Sequence, residues 1–174
     1  MDKKEAIRKL RAYLSCEGLA AMVVPSNDPH FGEYIPDHYK CREWLSCFNG
    51  SAGTLVVTSQ KAALWTDSRY FVQAEQQLEG TDISLMKIKM EGTPSITEWL
   101  RGELEEGSVV AMDENLFSYQ EYVSYIEALP NIYVSLIKDP FSEIWEDRPR
   151  LEFHPIEPMP VEVAGESVTS KHKR

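Results

Sequence analysis

Hydrophobic positions along the chain follow two spacings, which predict helices and strands in turn. Residues 3–15 carry apolar side chains three or four positions apart among charged ones, the pattern of an amphipathic helix. Gly18 ends this helix. The apolar run 19–24 then contains β-branched residues, is closed by Pro25 and is too short for a helix. It therefore predicts a buried strand.

The alternation of strand and helix continues as far as residue 145. Further strands are predicted at residues 53–58, 62–66, 83–88, 109–112 and 132–137. Further helices are predicted at residues 69–78, 93–104, 118–129 and 139–145, the second with Pro94 near its first position. The first two of these strands flank residues 59–61 and form an expected hairpin. This order predicts an α/β sandwich whose mixed sheet has helices on both faces.

The composition changes after Asp147, where four prolines stand among glutamates and few aliphatic residues. Such a stretch is typical of an extended linker. Near the end, Ser167 is placed to cap a new helix. We therefore expect a folded domain over residues 1–146, followed over residues 147–174 by a linker and the start of a second, truncated domain.

Composition and charge narrow the classes of function. The 174 residues are 43% hydrophobic and 26% charged, as in a soluble globular protein. There are 28 acidic against 18 basic residues, and a net charge of −10 opposes binding to a nucleic-acid backbone. The longest apolar run, residues 19–25, is far below the ~20 residues of a membrane span. We expect neither nucleic acid nor membrane as a partner.

The three cysteines have no paired spacing, so neither a disulfide framework nor a zinc site is indicated. Reduced thiols in the cytoplasm fit best. We expect Cys41 and Cys47 to be small buried hydrophobic residues.

Two loops hold residues that could carry chemistry. The first, residues 26–38, follows a predicted strand and contains Asp and His side chains, but such a loop is usually solvated and we expect no metal there. The second, residues 50–53, is rich in glycine, yet a strand follows it where a phosphate-binding loop or a nucleophile elbow would lead into a helix. A close backbone approach or a turn with positive φ is the simpler interpretation.

The residues around Arg69 are the most informative. Thr66 or Asp67 is placed to cap the following helix. With Asp67 as the cap, Arg69 lies in the first helical turn, where the helix dipole disfavours a cation. Two explanations remain open at this point. Either Arg69 pairs with a carboxylate such as Glu33 or Asp67, or its donors reach into a cleft toward a carbonyl or carboxylate.

Several segments in order resemble the N-terminal domain of the creatinase and prolidase group, most closely that of the long, three-domain Xaa-Pro aminopeptidases. These segments are residues 26–35 (SNDPHFGEYI), 48–58 (FNGSAGTLVVT), 63–74 (ALWTDSRYFVQA), 144–149 (IWEDRP) and 164–167 (AGES) with Lys171. The sequence departs from the family pattern at Ser68, where glycine is expected, and at Pro29, where alanine is usual.

The resemblance implies a three-layer sandwich with about six strands and a ribonuclease-H-like topology. It also implies that catalysis belongs to a C-terminal pita-bread domain, in which two divalent metals, typically manganese, activate a hydroxide that attacks the bond before proline. The present residues would then hold no metal, and this chain alone would be inactive as a peptidase.

The resemblance assigns peptide binding to Arg69, with Asp28, His30, Glu33 and Tyr34 as further candidates. The implied partners are a peptide with proline at its second position, the protein's own catalytic domain and, as an open question, a second copy of the chain. One alternative is a peptide-binding or protein-interaction module from a degenerate, non-enzymatic family member. Another is a magnesium-dependent nuclease, which the acidic charge disfavours, with three carboxylates at Asp67, Asp113 and Glu114.

Overall fold

A six-stranded mixed sheet forms the centre of the protein. The computed structural model describes residues 4–153 and 155–174. The strands are β1 (Ala21–Val24), β2 (Thr54–Thr58), β3 (Ala62–Thr66), β4 (Ile83–Lys87), β5 (Val109–Asp113) and β6 (Tyr133–Ile137). Their order across the sheet is β4-β3-β2-β1-β5-β6. The predicted hairpin is confirmed as the antiparallel pair β2–β3, with Val56 opposite Ala63.

Five of the six strands run in the same direction. β1 pairs in parallel with β5, β5 with β6, and β3 with β4, whereas β2 is antiparallel to both β1 and β3. The five codirectional strands therefore finish at one end of the sheet, which we call the carboxyl end, and β2 begins there. In α/β sheets this is the end at which ligand-binding loops usually lie.

Helices cover both faces of the sheet and produce the predicted three layers. The longer helices are α1 (Glu5–Cys16), α2 (Cys41–Ser46), α3 (Phe71–Gln77), α4 (Ile96–Glu103) and α5 (Tyr119–Ala128), and a short α6 spans Phe141–Ile144. Successive strand residues point to opposite faces. In β1, Met22 belongs to the core beneath α1, α2, α3 and α6, whereas Val23 belongs to the core beneath α4 and α5.

The helix starts match the sequence prediction closely but not fully. Ser95 and Ser118 each accept a bond from the backbone N–H three residues on, and Glu98 and Glu121 bond back to complete two capping boxes. The prediction that Pro94 lies near the first helical position is wrong. Because Ser95 takes the cap, α4 begins at Ile96 and Pro94 stays outside it.

Two details of the chain around α2 and α3 differ from the prediction. The helix expected at residues 69–78 is a 3₁₀ turn, Ser68–Tyr70, followed by α3. The polar stretch before β2 contains α2, which the sequence analysis did not find. Cys47 ends α2 with a left-handed backbone, φ 60°, and is exposed, so the prediction that it is buried is wrong; Cys41 is buried as expected.

The C-terminal segment carries two short helices, α7 (Val161–Ala164) and α8 (Val168–Lys173). Ser167 caps α8 by accepting a bond from the Ser170 N–H, as predicted. Arg148, in the segment predicted as a linker, donates from Nε to the His38 carbonyl at 2.8 Å. The domain boundary after residue 146 stays a prediction, and residues 1–3 of the predicted first domain lie outside the described residues. Across residues 4–153 and 155–174, no helix is long and apolar enough to cross a bilayer.

Candidate functional site

The turn that follows β3 places Arg69 at the carboxyl end of the sheet. Thr66, the last residue of β3, donates its Oγ1 hydroxyl to the Ala52 carbonyl at 2.6 Å. Asp67 then leaves the strand, and its Oδ1 accepts the Arg69 backbone N–H at 3.0 Å. This confirms Asp67 as the capping residue. Ser68 has no positive φ, so serine in place of the expected glycine causes no backbone strain.

The guanidinium of Arg69 is paired on one side and open on the other. Its Nε donates to Asp67 Oδ1 at 2.9 Å and its Nη2 to Asp67 Oδ2 at 2.8 Å. The Arg69 side chain is 67% exposed, and among the described residues its other three N–H groups have no protein acceptor. Of the two carboxylates considered as partners, the structure selects Asp67. The Arg69 bonds lower the pKa of Asp67 to about 2, and the carboxylate raises the pKa of Arg69.

Tyr70 supports the Arg69 side chain from the neighbouring position. The Arg69 guanidinium carbon lies 5.2 Å from the centre of the Tyr70 ring, a cation–π distance. The Tyr70 hydroxyl and Ser51 Oγ are 2.6 Å apart, and the Tyr70 ring packs edge-on against Phe48. Ser51 thus connects the glycine-rich loop to the turn that carries Arg69.

The glycine-rich loop contains two close backbone approaches. A Cβ on Gly50 would lie 2.3 Å from Phe48 Cζ and 2.8 Å from Tyr70 Cδ1. At Gly53, a Cβ would lie 3.2 Å from the Trp65 carbonyl oxygen. Neither glycine has a positive φ. Of the two structural explanations for this loop, close approach is therefore the correct one.

Arg42 is an important residue that the sequence analysis missed. Although it is only 5% exposed, its bonds go to neutral oxygens: Nε to Ser26 Oγ at 2.7 Å, Nη1 to the Phe48 carbonyl at 2.5 Å and Nη2 to the Gly50 carbonyl at 2.6 Å. In the described part of the chain no carboxylate forms an ion pair with it, and burial lowers its pKa to about 10. Arg42 thus joins the end of β1 to the loop that supports Tyr70.

The loop after β1 is shaped by Asp28. This buried carboxylate accepts the backbone N–H groups of His30 at 2.8 Å and Gly32 at 3.1 Å on the same oxygen, Oδ1. Phe31 takes a left-handed backbone, φ 54°, inside this turn. The imidazole of His30 is exposed. Asp28 therefore acts on the loop conformation, and His30 projects outward from it.

Two of the other candidates meet the glycine-rich loop. Glu33 and Tyr34 line a cavity of about 250 Å³ together with Gly50 and Ser51. Tyr34 is 87% exposed, so most of its ring is open to solvent. The structure thus brings Glu33 and Tyr34 to the loop that also contacts Tyr70.

Two ligand-type residues of the same loop are engaged elsewhere. Asp37 pairs with Lys40, and His38 Nδ1 lies 2.7 Å from the Pro149 carbonyl oxygen. Within the two described ranges, no group of three His, Cys, Asp or Glu side chains is arranged to hold a metal ion. The nuclease hypothesis requires such a group at Asp67, Asp113 and Glu114. Asp113 is instead buried, with its Oδ1 bound to the Asn115 N–H.

Comparison with known proteins identifies the family. The sequence model described as "Creatinase/Prolidase N-terminal domain" matches residues 7–144. The Xaa-Pro aminopeptidase ApepP of Drosophila melanogaster is 37% identical over 161 residues, which is 90% of this chain and 26% of that protein. Aminopeptidase P2 of Arabidopsis thaliana is 40% identical over 179 residues, which is 98% of this chain and 24% of that protein.

A solved structure matches nearly the whole chain. The X-prolyl aminopeptidase of Caenorhabditis elegans, described as a cytosolic enzyme with a di-nuclear active site, superposes with a TM-score of 0.86 and 33% identity. The match covers 99% of this chain and 30% of that one. The present chain spans about a quarter of the length of the curated relatives it matches. The matched residues and the shared fold show that the chain belongs to the Creatinase/Prolidase N-terminal domain family.

Proposed function

We propose that this chain is the non-catalytic N-terminal domain of a metal-dependent Xaa-Pro aminopeptidase. It covers the active-site cleft and helps to bind peptides with proline at the second position, while a separate C-terminal pita-bread domain hydrolyses the bond before proline. The near-complete match to the N-terminal part of an X-prolyl aminopeptidase fold supports this proposal. The names of the Drosophila and Arabidopsis relatives support the same peptidase class.

The metals belong to the complete enzyme. We propose that two divalent ions bind there, in line with the di-nuclear active site described for the C. elegans relative. We propose manganese as their identity. Since the described residues of this chain offer no cluster of metal ligands, we expect the chain alone to be inactive as a peptidase. The cytosolic description of that relative supports a cytoplasmic location. Self-association of the chain stays an open prediction.

Arg69 is the residue that we propose to contact the peptide. The observation that carries this role is the orientation of its guanidinium, which Asp67 and Tyr70 hold while three N–H donors stay open to solvent. A guanidinium fixed in this way loses little conformational freedom when it binds an acceptor oxygen. Peptide carbonyls supply such acceptors. Glu33 and Tyr34 are secondary candidates, because they line the adjacent cavity.

The first test is the Arg69→Ala variant of the complete enzyme. Loss of a charged hydrogen-bond donor to the substrate is expected to lower kcat/KM for a Xaa-Pro-containing peptide roughly ten- to a hundredfold. The matched control is Arg101→Ala, which removes an exposed arginine from α4. Steady-state kinetics with the metal-loaded enzyme measure kcat/KM for both variants.

Equal kcat/KM values for Arg69→Ala and the unmodified enzyme would remove Arg69 from the substrate site. A similar loss in both arginine variants would indicate a general effect of surface charge. Only a loss confined to Arg69→Ala supports the proposed contact.

A further inference from the structure

We propose that Asp67 is a specificity-determining residue, which shifts the selectivity of Arg69 away from a free terminal carboxylate and toward a neutral carbonyl group of the peptide. This inference rests on the proposed function of Arg69. It concerns the chemical class of the bound group, which the peptide-binding role alone does not specify. Its physical basis is the charge that Asp67 holds against the guanidinium.

Asp67 is fixed in place by three bonds. Its two oxygens accept Nε and Nη2 of Arg69, and Oδ1 also accepts the Arg69 backbone N–H. These bonds also lower the pKa of Asp67 to about 2, so the carboxylate stays charged at neutral pH. The pair therefore presents open N–H donors but almost no net positive charge.

A neutral carbonyl and a carboxylate experience this pair differently. A carbonyl oxygen needs only a well-placed donor, which the open side of the guanidinium provides. A carboxylate would gain attraction to Arg69 but would also be repelled by Asp67, which is bonded to another edge of the same planar group. Lys89 also lowers the pKa of Asp67, but less than Arg69 does. Asp67 thus lowers the affinity of Arg69 for a carboxylate relative to its affinity for a neutral acceptor.

The experiment compares peptides that differ only in their terminal charge. Xaa-Pro and Xaa-Pro-Xaa are prepared as free acids and as amides, and kcat/KM is measured with the complete enzyme. The peptide length at which Arg69→Ala lowers kcat/KM more identifies the peptide whose terminal group reaches this arginine. At that length, Asp67→Asn is expected to lower the amide-to-acid ratio of kcat/KM about three- to tenfold, a range suited to a solvent-exposed charge pair.

The matched control is Asp82→Asn, which removes an exposed carboxylate just before β4, at the other end of the sheet, and is expected to leave the ratio unchanged. Asp67→Ser provides a second variant, since serine retains a capping oxygen without the charge. It carries the test if Asp67→Asn does not fold.

The outcomes separate this inference from the proposed function. If Asp67→Asn and Asp67→Ser change kcat/KM for the acid and for the amide by the same factor, Asp67 does not determine specificity and the inference is wrong. If Arg69→Ala leaves kcat/KM unchanged for every peptide of either length, the peptide-binding role itself is wrong. A fall in the ratio together with a loss in Arg69→Ala supports both.

Discussion

Gly50 shows how a single missing side chain supports the candidate site. Its Cα faces the rings of Phe48 and Tyr70, and Tyr70 in turn lies against Arg69. Any side chain at residue 50 would displace one of these rings. The sequence predicted either a close approach or a turn with positive φ in this loop, and the choice between them depends on contacts between residues distant in the chain.

Gly50→Ala is therefore expected to destabilise the fold by about 1–3 kcal/mol, because the new methyl group overlaps the buried ring of Phe48 and the half-buried ring of Tyr70. Gly102→Ala is the control, since a Cβ at Gly102 in α4 meets nothing within 4 Å. Alanine there is expected to stabilise by up to about 1 kcal/mol through helix propensity. Urea denaturation measures both changes, and a Gly50→Ala protein as stable as the unmodified one would contradict the packing argument.

The buried guanidinium of Arg42 leads to a second prediction at this scale. Arg42→Met removes the donors to the Phe48 and Gly50 carbonyls and to Ser26, and we expect a loss of about 2–4 kcal/mol of stability. Arg42→Lys keeps a charged donor but cannot reach all three acceptors, so its stability is expected to lie between that of Arg42→Met and that of the unmodified protein. The midpoint of urea unfolding gives the comparison. No loss in Arg42→Met would mean that water replaces the guanidinium.

Local chemistry could be predicted from sequence where it depends on near neighbours. Asp67 was identified as a cap and as one of two partners for Arg69, because both roles involve residues two positions apart. Arg42 could not be assigned in this way, since its acceptors lie on loops brought together only by the sheet. A signal was nevertheless present: Cys41, Arg42 and Leu45 are buried at helical spacing, and an arginine at such a position requires internal acceptors.

Among the elements, the two capping boxes are the clearest agreement between local sequence and structure. Ser95 and Ser118 each stand three residues before a glutamate, and each pair forms both bonds of the motif. The starts of α4 and α5 are thus determined by a four-residue pattern. The short helix α2 lacks such a cap and has only six residues, too few for a clear helical spacing of apolar positions.

Ser118→Ala is expected to destabilise the protein by about 1 kcal/mol, because the backbone N–H of Glu121 loses its acceptor at the start of α5. Ser124→Ala lies in the same helix, where the hydroxyl only returns a bond to the Gln120 carbonyl, and a change near zero is expected. Thermal unfolding followed by circular dichroism compares the two. Equal effects would show that the cap contributes no more than an interior hydroxyl group.

For the whole molecule, the sequence predicted the class of fold and, apart from α2 and α7, the order of helices and strands, since both follow from hydrophobic spacing. Strand directions could not be predicted in the same way, because the antiparallel position of β2 between β1 and β3 depends on pairing across the sheet. That pairing brings the loop at residues 50–53 beside the turn at Asp67. The meeting of these two loops at one end of the sheet is what creates the candidate site.

The direction of β2 also determines where the molecule can be altered safely. β2 starts beside Arg69 and ends at Thr58, so the exposed turn formed by Ser59 and Gln60 lies at the far end of the sheet. A fluorophore or an affinity tag inserted in this turn would be separated from Arg69 and the glycine-rich loop by the full length of the strands. The hairpin is thus a convenient attachment point for testing the proposed peptide binding without obstructing the candidate site.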